Sequence, residues 1–364
     1  IYPVLVKLFD KQCHMRIAPK PFQFAGADYI PGTVLLRGHE NPEDLAEILK
    51  EIAENFDVDI VNVDTARVTK GPDLGSTEFT LLHKPRVALL SQWPVRSTSF
   101  GSAWYLLDYQ TRLRVSPINI QRLDRADLRK YNVLIMPDCS GLERVFDKST
   151  VSKIKRWVED GGTLIAIGGS AAYLAQPGRG LSSVRLKRDV LDKLSVYDKA
   201  IQREKDARSV KVDFDAVWGT KPPETDKHKD PNLEKNNDKP ARKQEAKKDI
   251  EQLKRDDSWL RLFSPQGAYV RAELNTENWL CFGLADKIPL LFSGSTAFMS
   301  KYPIATGVRL AEADQLRMSG LLWPEARERL ADTAFATTES LGNGQVILFA
   351  NDPTFRSWLA AEER

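Results

Sequence analysis

Between Arg86 and Gly169 the chain alternates short apolar segments with amphipathic ones, and this alternation restricts the fold more than any other feature of the sequence. The apolar segments have the length of strands, and the intervening segments carry apolar residues at helical spacing. Strands of this kind that alternate with helices form a parallel sheet covered on both faces. We predict strands at 86–91, 116–123, 132–138 and 163–169, with helices at 100–109, 124–131 and 151–162.

The predicted class is therefore α/β, with a three-layer α/β/α, flavodoxin-like, mostly parallel sheet. A smaller N-terminal α/β segment occupies residues 1–80. It has predicted strands at 32–38 and 57–64, and between them a helix that Asn41 caps, with Pro42 at its first position. The chain after residue 256 is rich in strands. These are predicted at 268–274, 278–284, 288–294 and 308–313, followed by a hairpin that turns at 342–344.

The segment 219–255 interrupts this order. It holds eleven basic and eight acidic residues and almost no large apolar ones. Such a segment cannot bury enough surface to offset the entropy of ordering it. We predict an exposed charged insertion between two parts of one α/β domain, 81–218 and 256–364. A charged binding tail is the alternative interpretation.

Composition excludes several classes of function. The net charge is only +3, so a nucleic-acid partner is not expected. No apolar run approaches the length of about 20 residues that spans a bilayer. The three cysteines are far apart, and none of the four histidines starts an HxxE pattern. We expect no disulfide framework and no metal site or cofactor in this chain.

The segment 163–175, TLIAIGGSAAYLA, predicts a buried strand, a tight turn and the start of a helix. That is the shape of a nucleophile elbow, in which an α/β enzyme carries its serine or cysteine. Here the turn holds Gly168 and Gly169 instead. We interpret the region as an enzyme-like fold without the usual nucleophile. If the glycines serve the backbone, one should adopt φ > 0 or approach a neighbouring backbone too closely for a Cβ.

Ligands of open parallel sheets bind beyond the carboxyl ends of the strands. Three predicted strands end in polar or small residues that would converge at one edge if the strands are neighbours. The residues of this candidate ligand pocket are Asp138, Cys139, Ser140, Gly168, Gly169, Ser170, Asn351, Asp352 and Arg356.

Each candidate has a catalytic and a structural interpretation. Ser170 is either a displaced nucleophile or the N-cap of the following helix. Cys139 is either a reactive thiol or a small buried residue. Asp138 and Asp352 are either paired carboxylates or residues that cap backbone amides. Arg356 either clamps a carboxylate or forms a structural salt bridge.

The elbow, the order of strands and the C-terminal strand resemble class I glutamine amidotransferase-like domains. In that superfamily the elbow holds a cysteine, and His-Pro-Glu follows a late strand. The resemblance places the nucleophile position on Gly168 and the histidine position near 351–353, which read Asn-Asp-Pro. Both catalytic residues are therefore replaced, and amidase activity is not expected.

A wider resemblance covers nearly the whole chain. The segments DLGS, PRVALLS, FGSAWYLLD, RWVEDGGTLIAIGGSAAYLA, SGLLWPE and GNGQVILFANDPTFRSW together resemble the C-terminal part of bacterial zinc carboxypeptidase-like proteins of the carboxypeptidase A type. In those proteins a metallopeptidase domain precedes the amidotransferase-like domain, and the proteins are typically exported, which implies a secreted or periplasmic location. The zinc motif of the family, His-x-x-Glu followed by His, is absent, so zinc is implied only for a peptidase domain outside this chain.

These resemblances imply a non-catalytic accessory module of a zinc carboxypeptidase-like protein. Its expected partner is the preceding peptidase domain of the same polypeptide, which it would support or dock, and a peptide substrate that it would position is a second candidate partner. A homo-oligomer is compatible with the sequence. Two alternatives stay open: a stand-alone hydrolase that uses Ser170 or Cys139, with Asp352 as a weaker candidate, and a small-ligand binding module at the strand ends.

Overall fold

A computed structural model describes residues 1–209 and 249–355. Its α-helices are α1 (Tyr2–Asp10), α2 (Leu45–Asn55), α3 (Ser97–Trp104), α4 (Lys148–Glu159), α5 (Gly169–Leu174), α6 (Leu194–Ser209), α7 (Ile250–Leu262) and α8 (Pro324–Leu330). The strands are β1 (Met15–Ile17), β2 (Phe22–Phe24), β3 (Ala27–Tyr29), β4 (Val34–Leu36), β5 (Thr80–Leu81), β6 (Val87–Ser91), β7 (Val115–Asn119), β8 (Val133–Met136), β9 (Thr163–Ile167), β10 (Arg185–Leu186), β11 (Gln266–Leu274), β12 (Lys287–Ser293), β13 (Phe298–Met299), β14 (Ala305–Leu310), β15 (Arg317–Ser319), β16 (Ala334–Leu341) and β17 (Gly344–Phe349).

The large sheet has a parallel half that follows the order β7-β6-β8-β9-β17. Numbered along the chain, these five strands lie in the order 2-1-3-4-5, which is the flavodoxin-like order. The prediction of an α/β, flavodoxin-like fold is therefore confirmed. The order reverses between β6 and β8, and the neighbouring strands β8, β9 and β17 all end at the same edge.

The sheet continues beyond β17 through antiparallel neighbours, in the order β16, β14, β11 and β12. This is the strand-rich C-terminal part that the sequence predicts. The hairpin of β16 and β17 turns at Gly342 and Asn343, and Gly342 has φ of +63°. A Cβ on Gly342 would lie 2.7 Å from the Glu159 backbone at the end of α4, so the turn also requires glycine for close packing.

Both faces of the parallel half are covered, because successive side chains of a strand point to opposite faces. On one face Val87 and Leu89 of β6 belong to a buried cluster that also contains Ala103 of α3. On the other face Ala88 and Leu90 belong to the main core. The main core includes the buried face of α4, formed by Val151, Ile154, Trp157 and Val158, and much of α5. The three predicted layers are therefore α3 on one face, the sheet itself, and α4 with α5 on the other face.

The N-terminal segment forms a separate antiparallel sheet in the order β4-β1-β5, with a small core shared by α1 and α2. Glu40 forms two salt bridges within this segment. Its Oε2 lies 2.8 Å from Arg16 Nε, and its Oε1 lies 3.2 Å from Arg37 Nη1. The hydrogen bond from Arg16 is the main reason that the pKa of Glu40 falls to about 2.

Two strand predictions are wrong. Residues 57–64 have no regular structure, and Ile60 and Val61 are exposed, because no neighbouring strand pairs with this segment. Within 278–284 the chain instead makes a 3₁₀ turn at Trp279–Cys281. The Asn278 side chain accepts a hydrogen bond from the Leu280 amide, and such a local bond competes with strand pairing.

The helices also differ from the prediction. The helix predicted at 124–131 is absent, and the chain makes only a 3₁₀ turn at Leu128–Lys130 there. α2 begins at Leu45, and the Asn41 side chain bonds the His14 and Arg37 carbonyl groups instead of capping the helix. Asp147 rather than Thr150 caps α4, because its carboxylate accepts from the Thr150 amide at 2.7 Å. Residues 219–248 of the predicted charged insertion lie outside the described residues. Its last residues, from Ile250, belong to α7.

Candidate functional site

The three strand ends predicted to converge do meet. β8 pairs in parallel with β9, and β9 pairs in parallel with β17. Residues 138–140, 168–170 and 351–352 therefore follow three adjacent strands at one sheet edge. Asp138 and Gly169 are joined directly, since the Gly169 amide donates to Asp138 Oδ1 at 2.7 Å.

The turn after β9 has the backbone geometry expected of an elbow. Gly168 has φ of +55° and ψ of −118°, and it precedes the first residue of α5. Gly169 lies so close to the preceding loop that an added Cβ would be 1.9 Å from the Cys139 carbonyl oxygen. Both backbone explanations for the glycines are confirmed. One glycine provides the left-handed φ, and the other permits the close approach.

The side chain of Asp138 fills the space in which an elbow residue would carry its side chain. A Cβ built on Gly168 would lie 2.6 Å from Asp138 Oδ1. The same oxygen accepts the Gly169 amide, which is the amide that follows the elbow residue and forms part of the oxyanion hole in elbow hydrolases. The Arg96 guanidinium lies 3.3 Å from the other carboxylate oxygen.

Two further bonds hold the backbone of Asp138. Its amide donates to Ser99 Oγ at 3.0 Å, and its carbonyl accepts from the Arg96 amide at 2.9 Å. Burial raises the pKa of the Asp138 carboxyl, and the nearby Asp352 carboxylate adds to that shift, whereas the Gly169 amide and Arg96 oppose it. Asp138 thus acts as an internal acceptor that occupies the elbow.

Ser170 is neither a helix cap nor placed as a nucleophile. Gly168 holds the N-cap position of α5, and Ser170 lies inside the first turn. The Ser170 side chain is buried, and its hydroxyl donates to the Pro137 carbonyl at 2.5 Å. A carbonyl oxygen cannot accept a proton as a general base does, so this contact fixes the loop rather than activating the hydroxyl. The prediction of a cap is corrected accordingly.

Cys139 is buried beside the elbow. Burial raises the pKa of its thiol to about 11; a hydrogen bond with Ser170 opposes that shift, whereas the carboxylates of Asp138 and Glu143 add to it. A thiolate is the reactive form of cysteine, so a thiol held neutral in this way is a poor nucleophile. This geometry favours the small buried residue over the reactive thiol.

The residues after β17 are held by local bonds. The Asn351 side chain donates to the Ser293 carbonyl, and its Oδ1 accepts from the Asp352 amide at 2.7 Å. Asp352 in turn accepts from the amide and hydroxyl of Thr354 at 2.9 and 2.7 Å. Asp352 therefore caps a turn. Its negative charge also contributes to the raised pKa of Asp138. Arg356 lies outside the described residues.

A cavity of about 430 Å³ opens beside the elbow. Three members of the predicted pocket line it, namely Cys139, Ser140 and Gly169. The remaining described members lie around the elbow but not on the cavity wall. Sequence reasoning missed three arginines of the lining, which are Arg188, Arg261 and Arg329. They come from distant parts of the chain and share no motif, so no local signal could have grouped them.

The described residues contain neither a cluster of metal ligands nor a membrane-spanning helix. Within residues 1–209 and 249–355, no three side chains of the His, Cys, Asp or Glu type gather as a metal site would require. The histidines of these ranges, His14, His39 and His83, all precede the first strand of the large sheet. No described helix is long and apolar enough to cross a membrane.

No family model matches this chain, and no curated protein matches it. Among solved structures, a beta-galactosidase from Bacillus circulans is 12% identical with a TM-score of 0.37, over 76% of this chain and 30% of that chain. A ThuA-like protein from Bacteroides uniformis is 10% identical with a TM-score of 0.37, over 74% and 82%. A cytoplasmic protein from Salmonella typhimurium is 11% identical with a TM-score of 0.37, over 76% and 93%. This chain thus spans less than a third of the beta-galactosidase, and similarities of this size assign no function.

Proposed function

We propose that this chain is a non-catalytic, amidotransferase-like accessory module of a zinc carboxypeptidase-like protein. The observation that carries the non-catalytic part is the position of Asp138. Its carboxylate lies where the side chain of an elbow nucleophile would be, and it bonds the Gly169 amide that would otherwise stabilise an oxyanion. A carboxylate at that amide repels the negative charge that acyl transfer develops there.

The alternative of a stand-alone hydrolase requires an activated nucleophile, and the described residues supply none at the elbow. Ser170 donates to a carbonyl group, and the Cys139 thiol is held neutral by burial. A nucleophile of either kind needs an adjacent base that is itself oriented by a third group. The geometry therefore favours a structural role for both side chains.

The connection to a carboxypeptidase rests on the resemblance of the sequence motifs. The segment RWVEDGGTLIAIGGSAAYLA forms the end of α4, then β9, the elbow and α5. The first part of the last segment, GNGQVILFAND, forms the turn and the second strand of the neighbouring hairpin. In the proposed role, this module supports the peptidase domain of the same polypeptide or positions its peptide substrate. Zinc belongs to that peptidase domain, and the proposal places no step of hydrolysis in this chain. An exported location is part of the same proposal.

The test uses the whole polypeptide to which we propose this chain belongs. Ser170→Ala and Cys139→Ala are expected to leave the release of C-terminal residues from a peptide unchanged within about twofold. The purified chain alone should release no ammonia from glutamine and cleave no nitrophenyl ester. A loss of turnover of about a hundredfold at an unchanged melting temperature would identify a catalytic residue and refute the proposal.

A further inference from the structure

The cavity beside the elbow is rich in hydrogen-bond donors that have no acceptor. Arg329 of α8 is 4% exposed, and it uses Nε for Asp257 at 2.8 Å and Nη1 for the Ser295 carbonyl at 2.5 Å. Its Nη2 makes no hydrogen bond within the described ranges. Since a guanidinium carries five N–H donors in a fixed plane, the buried end of the cavity presents a positioned cationic donor.

Arg261 and Arg188 add two more guanidinium groups to the wall. The Arg261 side chain, on α7, forms no ion pair or hydrogen bond with the residues that the structure describes. Arg188 has one weak partner, since its Nε lies 3.7 Å from Asp189. The three arginines are close enough to influence one another. Burial lowers the pKa of Arg329, the charges of Arg261 and Arg188 lower it further, and Asp257 opposes that shift.

The acidic groups near the cavity are already engaged or lie at its rim. Asp257 is buried against Arg329, and Asp189 faces Arg188. Glu143 is the carboxylate of the lining, and it is exposed to solvent, where its field is screened.

We propose that this cavity binds a small molecule through an oxyanion, either a phosphate or a carboxylate group, held by Arg188, Arg261 and Arg329. Unpaired arginine donors require acceptors, and a planar guanidinium matches the paired oxygens of both anions. The volume of about 430 Å³ lies in the range of small-molecule sites. Ser140, Ser295 and Thr296 supply further hydroxyl groups on the wall. This inference does not depend on the proposed accessory role.

The test measures binding by calorimetry in chloride buffer at constant ionic strength. Inorganic phosphate and succinate are the two anionic probes, and succinamide is the uncharged control. We expect saturable one-to-one binding of phosphate, succinate or both, and none of succinamide. Binding of phosphate alone identifies a phosphoryl ligand, and binding of succinate alone identifies a carboxylate ligand.

Variants then locate the site. Arg261→Gln and Arg188→Gln change partly exposed side chains, so the fold should survive, which the melting temperature checks. Each is expected to weaken binding about tenfold through loss of a charge-assisted hydrogen bond. Arg255→Gln is the matched control, because Arg255 also lies on α7 but its side chain is 73% exposed and outside the cavity. Absence of saturable binding to both anions, or equal weakening by Arg255→Gln, would overturn the proposal.

Discussion

The Asp138 carboxylate accepts the backbone amide of Gly169 at 2.7 Å, across the loops that follow two neighbouring parallel strands. This one contact joins the end of β8 to the start of α5. It also explains why the elbow carries glycine, since a Cβ on Gly168 would overlap the same carboxylate. The Asp138 carboxylate thus occupies the space in which an elbow enzyme would carry its nucleophilic side chain.

The glycine at the elbow is expected to be irreplaceable for structural reasons. Gly168→Cys should lower the free energy of unfolding by about 2–5 kcal/mol, because it combines a left-handed φ with an overlap against Asp138. The variant should release no ammonia from glutamine. Denaturant unfolding and an ammonia assay measure the two effects. Gly101→Ala is the control: Gly101 lies in α3 with open space around its Cβ position, so alanine should be neutral or slightly stabilising. Equal effects of the two variants would contradict this explanation.

The buried hydroxyl of Ser170 is expected to contribute to stability and not to turnover. Ser170→Ala leaves the Pro137 carbonyl without its donor, which should cost about 1–3 kcal/mol. Thermal or denaturant unfolding measures the loss. Ser183→Ala is the matched control, because the Ser183 hydroxyl is exposed and makes no hydrogen bond in the described residues. A Ser170→Ala variant as stable as Ser183→Ala would show that the bond to Pro137 is unimportant.

The raised pKa of Asp138 predicts a particular dependence on pH. Below the ordinary aspartate pKa of about 3.9, the carboxyl is protonated in both the folded and the unfolded chain. As pH rises above it, the unfolded chain loses its proton first, so the contribution of Asp138 to stability falls until the pH passes its pKa in the folded state. Unfolding measured from pH 3.5 to 7 should therefore show Asp138→Asn gaining stability relative to the unmodified protein as pH rises.

Asp127 supplies the control for that measurement. The hydrogen bond from Arg129 lowers the pKa of Asp127, so its contribution is present above the ordinary pKa and is lost as pH falls. Asp127→Asn should therefore lose stability relative to the unmodified protein as pH rises, with the opposite sign to Asp138→Asn. The same sign for both variants would mean that burial does not control the titration of Asp138.

The buried pair of Asp257 and Arg329 is expected to hold α7 against α8. Their side chains are 6% and 5% exposed, with 2.8 Å between Oδ1 and Nε. Asp257→Ala leaves a buried cation without a partner and should cost about 3–5 kcal/mol, whereas Asp257→Leu combined with Arg329→Met should recover much of that loss. Denaturant unfolding measures each variant. Glu251→Gln breaks an exposed pair with Arg255 on the same helix and should change stability by less than about 1 kcal/mol. A similarly small effect of Asp257→Ala would contradict the buried-pair argument.

The sequence predicted the parallel half of the sheet well. The segments of β6, β8 and β9 are almost wholly apolar because both faces of these strands are buried, and such runs are recognisable without a structure. The wrong predictions fall where one neighbour decides the outcome. Residues 57–64 alternate as a strand would, but a strand exists only if another strand pairs with it. Asn278 and Asp147 each redirect the chain through a single side-chain bond.

By itself, the sequence determined the class of fold, the glycine turn and the meeting of three strand ends, because these depend on periodicity and on the backbone freedom of glycine. Only the tertiary structure decided what the meeting point does. Hydrogen bonds between residues far apart in sequence place the Asp138 carboxylate in the elbow and direct the Ser170 hydroxyl to Pro137. The arginines of the cavity are likewise far apart in the sequence, with more than 140 positions between Arg188 and Arg329, and only the tertiary structure brings them to one cavity.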